Sequence, residues 1–122
     1  MENISVIIRN RNEERYIGYA IQSVLDTFDK PEIIVVDNNS TDNSLGIVNS
    51  FDFENINIYN INSYTPGKSL NYGVTKCSND YILVLSAHSQ IINCNFDKIK
   101  SCLDKYCVVG GKQIPIWNGK KI

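Results

Sequence analysis

Hydrophobic and polar positions alternate with two different periods along the chain. Short apolar runs at residues 4–9, 32–37, 57–61 and 81–86 have the length and composition of β-strands. Between them, apolar residues recur three and four positions apart, which indicates helices with one buried face. The first helix shows this stripe most fully, at Ile17, Ala20, Ile21, Val24, Leu25 and Phe28. The alternation of strands and helices predicts an α/β fold.

Three further helices are predicted after the first. They run from Ser40 or Thr41 to about Val48, from about Lys68 to Cys77, and from about Phe96 to Tyr106. In the second of these, Leu70 and Val74 are expected to face the core. Asn10 or Asn12 is expected to cap the helix after the first strand, because an Asn side chain accepts hydrogen bonds from the free N–H groups at a helix start.

The strands are expected to form an open, mostly parallel sheet flanked by helices. The unbroken apolar run within Glu32–Asp37 indicates burial on both faces, as in parallel sheets. The run at residues 81–86 is also interpreted as a buried strand, and Cys107–Ile114, with its Gly-Gly bend, as a last one. The chain has 122 residues and no visible repeat or linker, so residues 1–122 are predicted to form a single domain.

Composition argues against several classes of function. The net charge is −1, which provides no general attraction for nucleic acid or anionic membrane. No apolar run approaches the roughly 18 residues of a membrane span, and the N-terminus does not resemble a secretion signal. The four cysteines lack C-x-x-C spacing and are expected to be free thiols in a reducing compartment, so a cytoplasmic protein is predicted.

Polar residues follow three of the predicted strands. In open α/β sheets, ligands bind beyond the carboxyl ends of the strands. The polar segments are Arg9–Glu14, Asp37–Asp42 and Ser86–Ser89. Asp37 could accept a hydrogen bond from a nucleobase or a ribose, or it could cap the following turn. Arg9 and Arg11 could bind phosphate, although a solvated loop arginine is the commoner case.

Two other residues are candidates for binding. Lys68 lies at a predicted helix start, where a cation opposes the helix dipole, and neutralising a diphosphate there would explain it. His88 is the only histidine of the chain and stands between hydroxyl residues at a strand end. The chain has no Walker sequence, no G-x-G-x-x-G and no G-x-S-x-G. No motif therefore supports a P-loop, a dinucleotide-binding site or a hydrolase nucleophile elbow.

Three blocks of the sequence together resemble the N-terminal half of a family 2 glycosyltransferase of the GT-A fold. The blocks are ISVIIRNRNEERYIGYAIQSVL, EIIVVDNNSTDNS and PGKSLNYGVTKCSNDYILVLSAHS, in that order. They cover roughly residues 4–92, and VVGGKQIP resembles the strand that usually follows. The resemblance implies a truncated, Rossmann-like GT-A domain that binds a nucleotide-diphosphate sugar, with UDP as the expected nucleotide.

The resemblance also implies roles for individual residues. The donor-site positions are Arg9, Arg11, Glu13, Asp37, Lys68 and Ser86, with His88 as a metal ligand. On this interpretation the first three form the wall of the nucleoside pocket, the aspartate contacts the base, and the lysine lies near the diphosphate. Ser-Ala-His falls where the family has D-x-D, whose acids hold a divalent cation that bridges the two phosphates.

His88 has three possible roles. Imidazole can ligate Mn²⁺ or another transition metal, whereas Mg²⁺ prefers oxygen ligands, so a divalent Mn or Mg ion is the expected cofactor. The ring could instead hydrogen-bond the phosphate directly, or it could be a structural histidine at a strand end. Rhamnosyl-type branches of the family resemble this LSAH pattern, so the replacement is compatible with activity.

The half of the family that binds the acceptor looks absent. Inverting transfer needs a base for the acceptor hydroxyl, and the family supplies that carboxylate after the metal motif. After Asp104 this chain has no Asp or Glu, so the catalytic base is unknown.

Three hypotheses therefore stay open. The first is a reduced glycosyltransferase, hexosyl- or rhamnosyl-type, completed by a second subunit or by self-association. The second is a non-catalytic nucleotide-sugar-binding module, and the third is an unrelated α/β domain. The acceptor, whether saccharide, lipid or protein, is not specified. Ile116, Trp117 and Ile122 would be exposed where the acceptor half packs, which predicts a homodimer.

Overall fold

Strands and helices alternate through most of the chain. The computed structural model describes residues 3–117 and 120–121, and of Trp117 only the backbone. Its elements are β1 (Ile4–Asn10), α1 (Ile17–Thr27), β2 (Glu32–Asp37), α2 (Ser44–Asn49), β3 (Ile56–Asn60), α3 (Pro66–Lys76), β4 (Tyr81–Ser86), α4 (Phe96–Leu103), β5 (Ile116–Trp117) and β6 (Lys120–Lys121). The last two strands form a small antiparallel pair. The predicted α/β class is confirmed.

The main sheet has four parallel strands in the order β3-β2-β1-β4. The strand β1 is central, with Val6 opposite Ile33 of β2 and opposite Leu83 of β4. Because all four strands run in the same direction, their carboxyl ends meet at one edge of the sheet. The polar segments that follow the strands are therefore collected at that edge.

Each face of the sheet has its own apolar cluster. On one face, Val6 and Ile8 of β1 pack with Ile33 and Val35 of β2 beneath the buried stripe of α1. On the other face, residues of β1 and β2 lie under α3; they are Ile7, Ile34 and Val36. Every residue of β2 is buried, so the prediction of a strand covered on both faces is confirmed.

Small residues let α3 approach the sheet closely. Its buried residues are Ser69 and Gly73, and a Cβ on Gly73 would lie 2.8 Å from Cγ2 of Ile7. Leu70 packs partly against the cluster, as predicted. Val74 is 47% exposed, so the prediction that it faces the core is wrong. The helix presents its small residues to the sheet, and this turns Val74 towards solvent.

The interpretation of β4 as a buried strand is also wrong. Leu83 and Leu85 pack on the α1 face, but Ile82 and Val84 on the opposite face are 39% and 46% exposed. The strand lies at the edge of the sheet in the described part of the chain, and α3 packs on β1 and β2 rather than over β4.

The predicted strand Cys107–Ile114 does not form. These residues have no regular structure, and Val108 is 82% exposed. An apolar extended segment becomes a strand only where a neighbour pairs with its N–H and C=O groups, and no described strand does so. The helix before it, α4, ends at Leu103, three residues earlier than predicted.

Helix starts differ from the predicted ones. Tyr16 precedes α1, and no side chain caps that helix, so the expectation for Asn10 and Asn12 is wrong. The helix α2 begins at Ser44 rather than at Ser40 or Thr41. The polar residues that precede both helices bond instead between the two loops, as described below. Among the described residues, no helix has the length and apolar character to span a membrane.

Candidate functional site

A cleft of about 180 Å³ opens at the carboxyl edge of the sheet, where β1 and β4 end. Its lining residues are Arg9, Asn10, Arg11, Glu13, Tyr64, Ser86 and His88. Five of these, all except Asn10 and Tyr64, are site residues proposed from the sequence. The parallel sheet therefore brings together two of the polar segments, the one after β1 and the one after β4.

His88 lies between a carboxylate and a hydroxyl. Its Nδ1 is 3.4 Å from Oε1 of Glu13 and 3.1 Å from Oγ of Ser86. The imidazole side chain is 61% exposed, so it remains accessible from the cleft. Whether Nδ1 donates or accepts a hydrogen bond in these contacts depends on the tautomer of the ring. The arrangement places one nitrogen and one carboxylate oxygen side by side at the mouth of the cleft.

Arg9 brings an unpaired positive charge into the cleft. Its Nε is buried and makes no hydrogen bond, and the ion pairs found among the described residues do not include it. A buried guanidinium nitrogen without a partner is costly, and guanidinium groups bind carboxylate and phosphate well. The cleft therefore offers a site for an anionic ligand. Arg11 lies exposed on the same wall.

Asp37 does not line this cleft. It is fully buried, and its carboxylate accepts hydrogen bonds from Nδ2 of Asn10 at 2.8 Å, from Oγ of Ser40 at 2.6 Å and from the Ser40 N–H at 2.9 Å. These bonds fix the turn that follows β2. Of the two roles that the sequence left open, the observed geometry is that of the turn cap.

The loop after β1 is bonded to the loop after β2. Oδ1 of Asn12 accepts from the N–H of Thr41 at 2.7 Å, and Oδ2 of Asp42 accepts from the N–H of Glu14 at 3.0 Å. Desolvation acts to raise the pKa of Asp42. Hydrogen bonds from Ser44 and from the Glu14 N–H lower it by more, so the pKa lies below its ordinary value. These bonds hold the wall that carries Arg11 and Glu13.

Lys68 and Tyr64 lie around the start of α3. Lys68 is exposed and outside the lining of the cleft, and its Nζ is 3.3 Å from Oγ of Ser63. Thr65 caps the helix by accepting from the Lys68 N–H at 3.1 Å. Tyr64 does line the cleft, and sequence reasoning missed it. Its place directly before the capping residue and the Pro-Gly turn was the available signal.

A larger groove of about 490 Å³ lies elsewhere, between α1 and α2. Tyr19, Ile47 and Phe51 are among its lining residues, and none of the site residues proposed from the sequence is. Its walls are helix side chains rather than strand ends. The smaller cleft is therefore the candidate site, because the polar strand-end side chains lie there, even though this groove has the larger volume.

The described residues supply few ligands for a metal. No group of three or more His, Cys, Asp or Glu side chains able to hold an ion occurs within residues 3–117 and 120–121. Glu13 and His88 together offer one oxygen and one nitrogen. Such a pair fits a divalent ion that is also bound by phosphate oxygens, because Mg²⁺ and similar ions are commonly held by one or two protein ligands plus substrate phosphates.

Comparison with known families decides the identity of the fold. The model of glycosyl transferase family 2 matches residues 5–107. The chain belongs to this family. A curated relative supports the assignment: a dolichyl N-acetyl-alpha-D-glucosaminyl phosphate 3-beta-D-2,3-diacetamido-2,3-dideoxy-beta-D-glucuronosyltransferase from Methanococcus voltae is 31% identical over 97 residues, which cover 73% of this chain and 30% of the relative.

Solved structures share the fold of this family 2 chain. S. aureus TarS 1–349 in complex with UDP aligns with a TM-score of 0.74 and 24% identity, over 94% of this chain and 38% of that one. Glucosyl-3-phosphoglycerate synthase from Mycobacterium tuberculosis, in complex with Mn²⁺, UDP and glucosyl-3-phosphoglycerate, aligns with a TM-score of 0.61 and 21% identity, over 72% and 35%. The GT-A-like α/β fold is confirmed.

The chain matches a limited part of these proteins. It spans 30% of the M. voltae relative, 38% of the TarS chain and 35% of the synthase. The family match, residues 5–107, includes all residues that line the cleft.

Proposed function

We propose that this chain is the donor-binding part of a glycosyltransferase and that the cleft holds a UDP-linked sugar by its nucleotide. The observation that carries the proposal is the convergence of Arg9, Glu13, Ser86 and His88 in one cleft at the carboxyl edge of a parallel sheet. The UDP bound by TarS, which shares the fold, supports the choice of nucleotide.

The positive side chains of the cleft account for the diphosphate. Arg9 lines the cleft and is not part of an ion pair found among the described residues, so its guanidinium can bind phosphate through charge-assisted hydrogen bonds. Arg11 lies beside it on the wall that includes Glu13. Lys68, in the first turn of α3, contributes charge from the rim, where the N-terminus of the helix also favours an anion.

Ser86 and His88 occupy the positions of the D-x-D acids in this proposal. The imidazole of His88 and the carboxylate of Glu13 would hold a divalent ion there. A nitrogen ligand favours Mn²⁺ over Mg²⁺. When bound, the ion neutralises charge on the two phosphates, and the protein side chains orient the nucleotide.

The whole reaction requires more than the described cleft. A volume of about 180 Å³ is below the roughly 300–1,000 Å³ of typical ligand pockets. We propose that the sugar and its acceptor are bound with the help of further polypeptide, from a second subunit, a second copy or another part of the protein. Transfer is of the hexosyl or rhamnosyl type.

The alternative is a non-catalytic nucleotide-sugar-binding module, and the small volume of the cleft is the observation that favours it. Either way, we propose that residues 1–122 act as one domain. Cys77, Cys102 and Cys107 are free thiols in the structure, and the cytoplasmic location predicted from the cysteines stays a prediction.

A homodimer remains the proposed assembly. Ile82, Val84 and Ile116 expose apolar surface, and the outer edge of β4 pairs with no strand in the described part of the chain. Exposed apolar surface beside an unpaired strand edge favours association. Trp117 and Ile122 were also expected to take part, but the Trp117 side chain and Ile122 lie outside the described residues. A monomeric sedimentation profile at high concentration would contradict this assembly.

Calorimetric titration tests the donor proposal. The chain is titrated with UDP, UDP-sugars and GDP, each with and without Mn²⁺. We expect saturable UDP binding that Mn²⁺ strengthens, whereas no heat with any nucleotide would end both the enzyme and the binding-module interpretations. Transfer to added acceptors, or slow hydrolysis of the donor, separates the enzyme from the module.

A further inference from the structure

The groove between α1 and α2 has an apolar floor. Gly18 of α1 lies so close to α2 that a Cβ there would be 3.2 Å from Cγ2 of Ile47. Ile47 and Phe51, which follow one another by about one helical turn, pack partly against the core beneath. The groove encloses about 490 Å³, which is within the roughly 300–1,000 Å³ of typical small-molecule sites.

Tyr19 is an exposed aromatic residue in the lining of this groove. It is 62% exposed, and its ring and hydroxyl make no hydrogen bond or ring contact with any residue that the structure describes. Gln22, nearly one turn further along α1, donates from Nε2 to Oδ1 of Asp26 at 2.8 Å, which leaves its Oε1 as an acceptor. The groove therefore presents a flat ring beside hydrogen-bonding atoms.

The charges of the groove balance. Glu14 and Arg15 are the charged residues of its lining, one of each sign. The cleft, by contrast, has Arg9 and Arg11 against the carboxylate of Glu13. The groove therefore gives no net attraction to a phosphate or to a cation, and an uncharged ligand suits it better.

The mixture of apolar and polar residues in the groove favours a saccharide. Glu14, Arg15, Gln22 and Ser50 all line it. An apolar side chain laid over them would remove these groups from water without replacing their hydrogen bonds, which is costly. A sugar ring carries C–H groups on its faces and hydroxyls around its edge. The faces match an aromatic ring, and the hydroxyls, each both donor and acceptor, match the polar residues.

We infer that this groove binds an uncharged saccharide, with one sugar ring packed on Tyr19. The inference goes beyond the proposed function, because it concerns a second site that needs no nucleotide. Glu13 lines the cleft and Glu14 lines the groove, so one loop forms part of the wall of both sites. A saccharide chain held in the groove is therefore anchored beside the donor cleft.

An NMR titration without nucleotide tests this inference. The isotope-labelled chain is titrated with neutral disaccharides, namely cellobiose, lactose, mannobiose and N,N′-diacetylchitobiose. Inorganic phosphate and N-acetylphenylalaninamide, which stands for an apolar peptide side chain, are titrated in parallel. Tyr19→Ala and Tyr19→Phe are compared with Tyr106→Ala, a matched control, because Tyr106 is 65% exposed and lies outside the groove.

We expect at least one disaccharide to give saturable shift changes centred on Tyr19 and Phe51. Tyr19→Ala should weaken that binding at least about tenfold, because the aromatic ring supplies most of the contact area. Tyr19→Phe retains the ring and should keep the affinity within about threefold. Tyr106→Ala should bind as the wild type does. Since Tyr19 is exposed, its variants should unfold at the wild-type temperature.

Several results would overturn the inference. In one, no disaccharide shifts the groove residues, or the changes are centred on Tyr64 and His88 in the cleft. In another, phosphate or N-acetylphenylalaninamide binds the groove more tightly than every disaccharide does. Equal affinity of the wild type and Tyr19→Ala would remove Tyr19 from the site. Should Tyr19→Ala not fold, the wild-type titration and Tyr19→Phe still decide the question.

The donor proposal is judged separately, by the titration with UDP. Disaccharide binding in the groove without UDP binding in the cleft would leave this inference standing and end the donor proposal. UDP binding without disaccharide binding would do the reverse.

Discussion

Nδ1 of His88 lies 3.4 Å from Oε1 of Glu13. The contact joins the end of β4 to the loop after β1, two segments that are adjacent because β1 and β4 are paired in the sheet. It gives the imidazole a carboxylate neighbour at the position where the resemblance implies the second acid of D-x-D. The role of this pair in metal-assisted binding can be tested directly.

Replacing His88 should change the response of the chain to Mn²⁺. His88→Ala should bind UDP with an affinity that no longer rises when Mn²⁺ is added, because Glu13 alone is left to hold the ion. His88→Asp, which supplies a carboxylate, should keep the dependence. The measurement is the UDP dissociation constant by calorimetry at increasing Mn²⁺. An unchanged Mn²⁺ effect in His88→Ala would remove His88 from the metal site.

Arg9→Ala should weaken UDP binding by about 10- to 100-fold. This corresponds to the roughly 1.5–3 kcal/mol of a hydrogen bond to a charged group. Uridine, which lacks phosphate, should bind both forms equally. Arg15→Ala is the matched control, since Arg15 lines the groove between α1 and α2. Equal loss of UDP and uridine binding in Arg9→Ala would show that Arg9 supports the nucleoside or the fold instead of the phosphates.

Gly73→Ala should lower the free energy of unfolding by about 1–3 kcal/mol, the usual cost of overfilling a packed core. The added Cβ would lie 2.8 Å from Cγ2 of Ile7 and 3.3 Å from Cγ2 of Val36, so the helix has to move away from the sheet. Gly67→Ala in the same helix is the control, because a Cβ there meets no atom within 4 Å. Urea unfolding at neutral pH measures both. Similar stabilities for the two variants would contradict the close packing of α3.

Acid should destabilise the fold through Glu32, at the edge of the sheet opposite the cleft. Burial acts to raise the pKa of Glu32. Hydrogen bonds from the Ser5 hydroxyl and from the Ser78 N–H and hydroxyl lower it by more, so the pKa lies below its ordinary value of 4.5. The folded state therefore holds this proton less tightly than the unfolded state does. The resulting stability is present above about pH 4.5 and is lost as the pH falls through the folded-state pKa.

Urea unfolding between pH 7 and pH 3 measures this loss, since protonation weakens the bonds from Ser5 and Ser78. Glu32→Gln should show a smaller decline in unfolding free energy over that range. Glu54→Gln, at an exposed position, should decline as the wild type does. A Glu32→Gln variant with the wild-type pH dependence would assign the acid sensitivity to other carboxylates.

The sheet could be predicted from the sequence because its strands are determined by local patterns. The run within Glu32–Asp37 is apolar throughout and is buried throughout. Cys107–Ile114 also begins with an apolar run, yet it does not form a strand, because pairing depends on a neighbour that a local pattern does not reveal. Val74 was misplaced for a related reason, since the close approach of Gly73 to Ile7 sets the rotation of α3.

The candidate site could be predicted in part. Arg9 and His88 were identified because polar residues at the ends of parallel strands meet at one edge, and the family resemblance added Glu13. Tyr64 was missed, as it belongs to the loop before α3, whose path follows from the packing of that helix. The sequence also drew attention to Asp37, which lies outside the cleft and accepts hydrogen bonds from Asn10 and Ser40.

The most direct test of a strand-end nucleotide site is an NMR titration of the isotope-labelled chain with UDP. We predict that the largest shift changes occur for the cleft residues Arg9, Tyr64 and His88. Changes centred instead on Tyr19 and Phe51, in the groove between α1 and α2, would contradict the account.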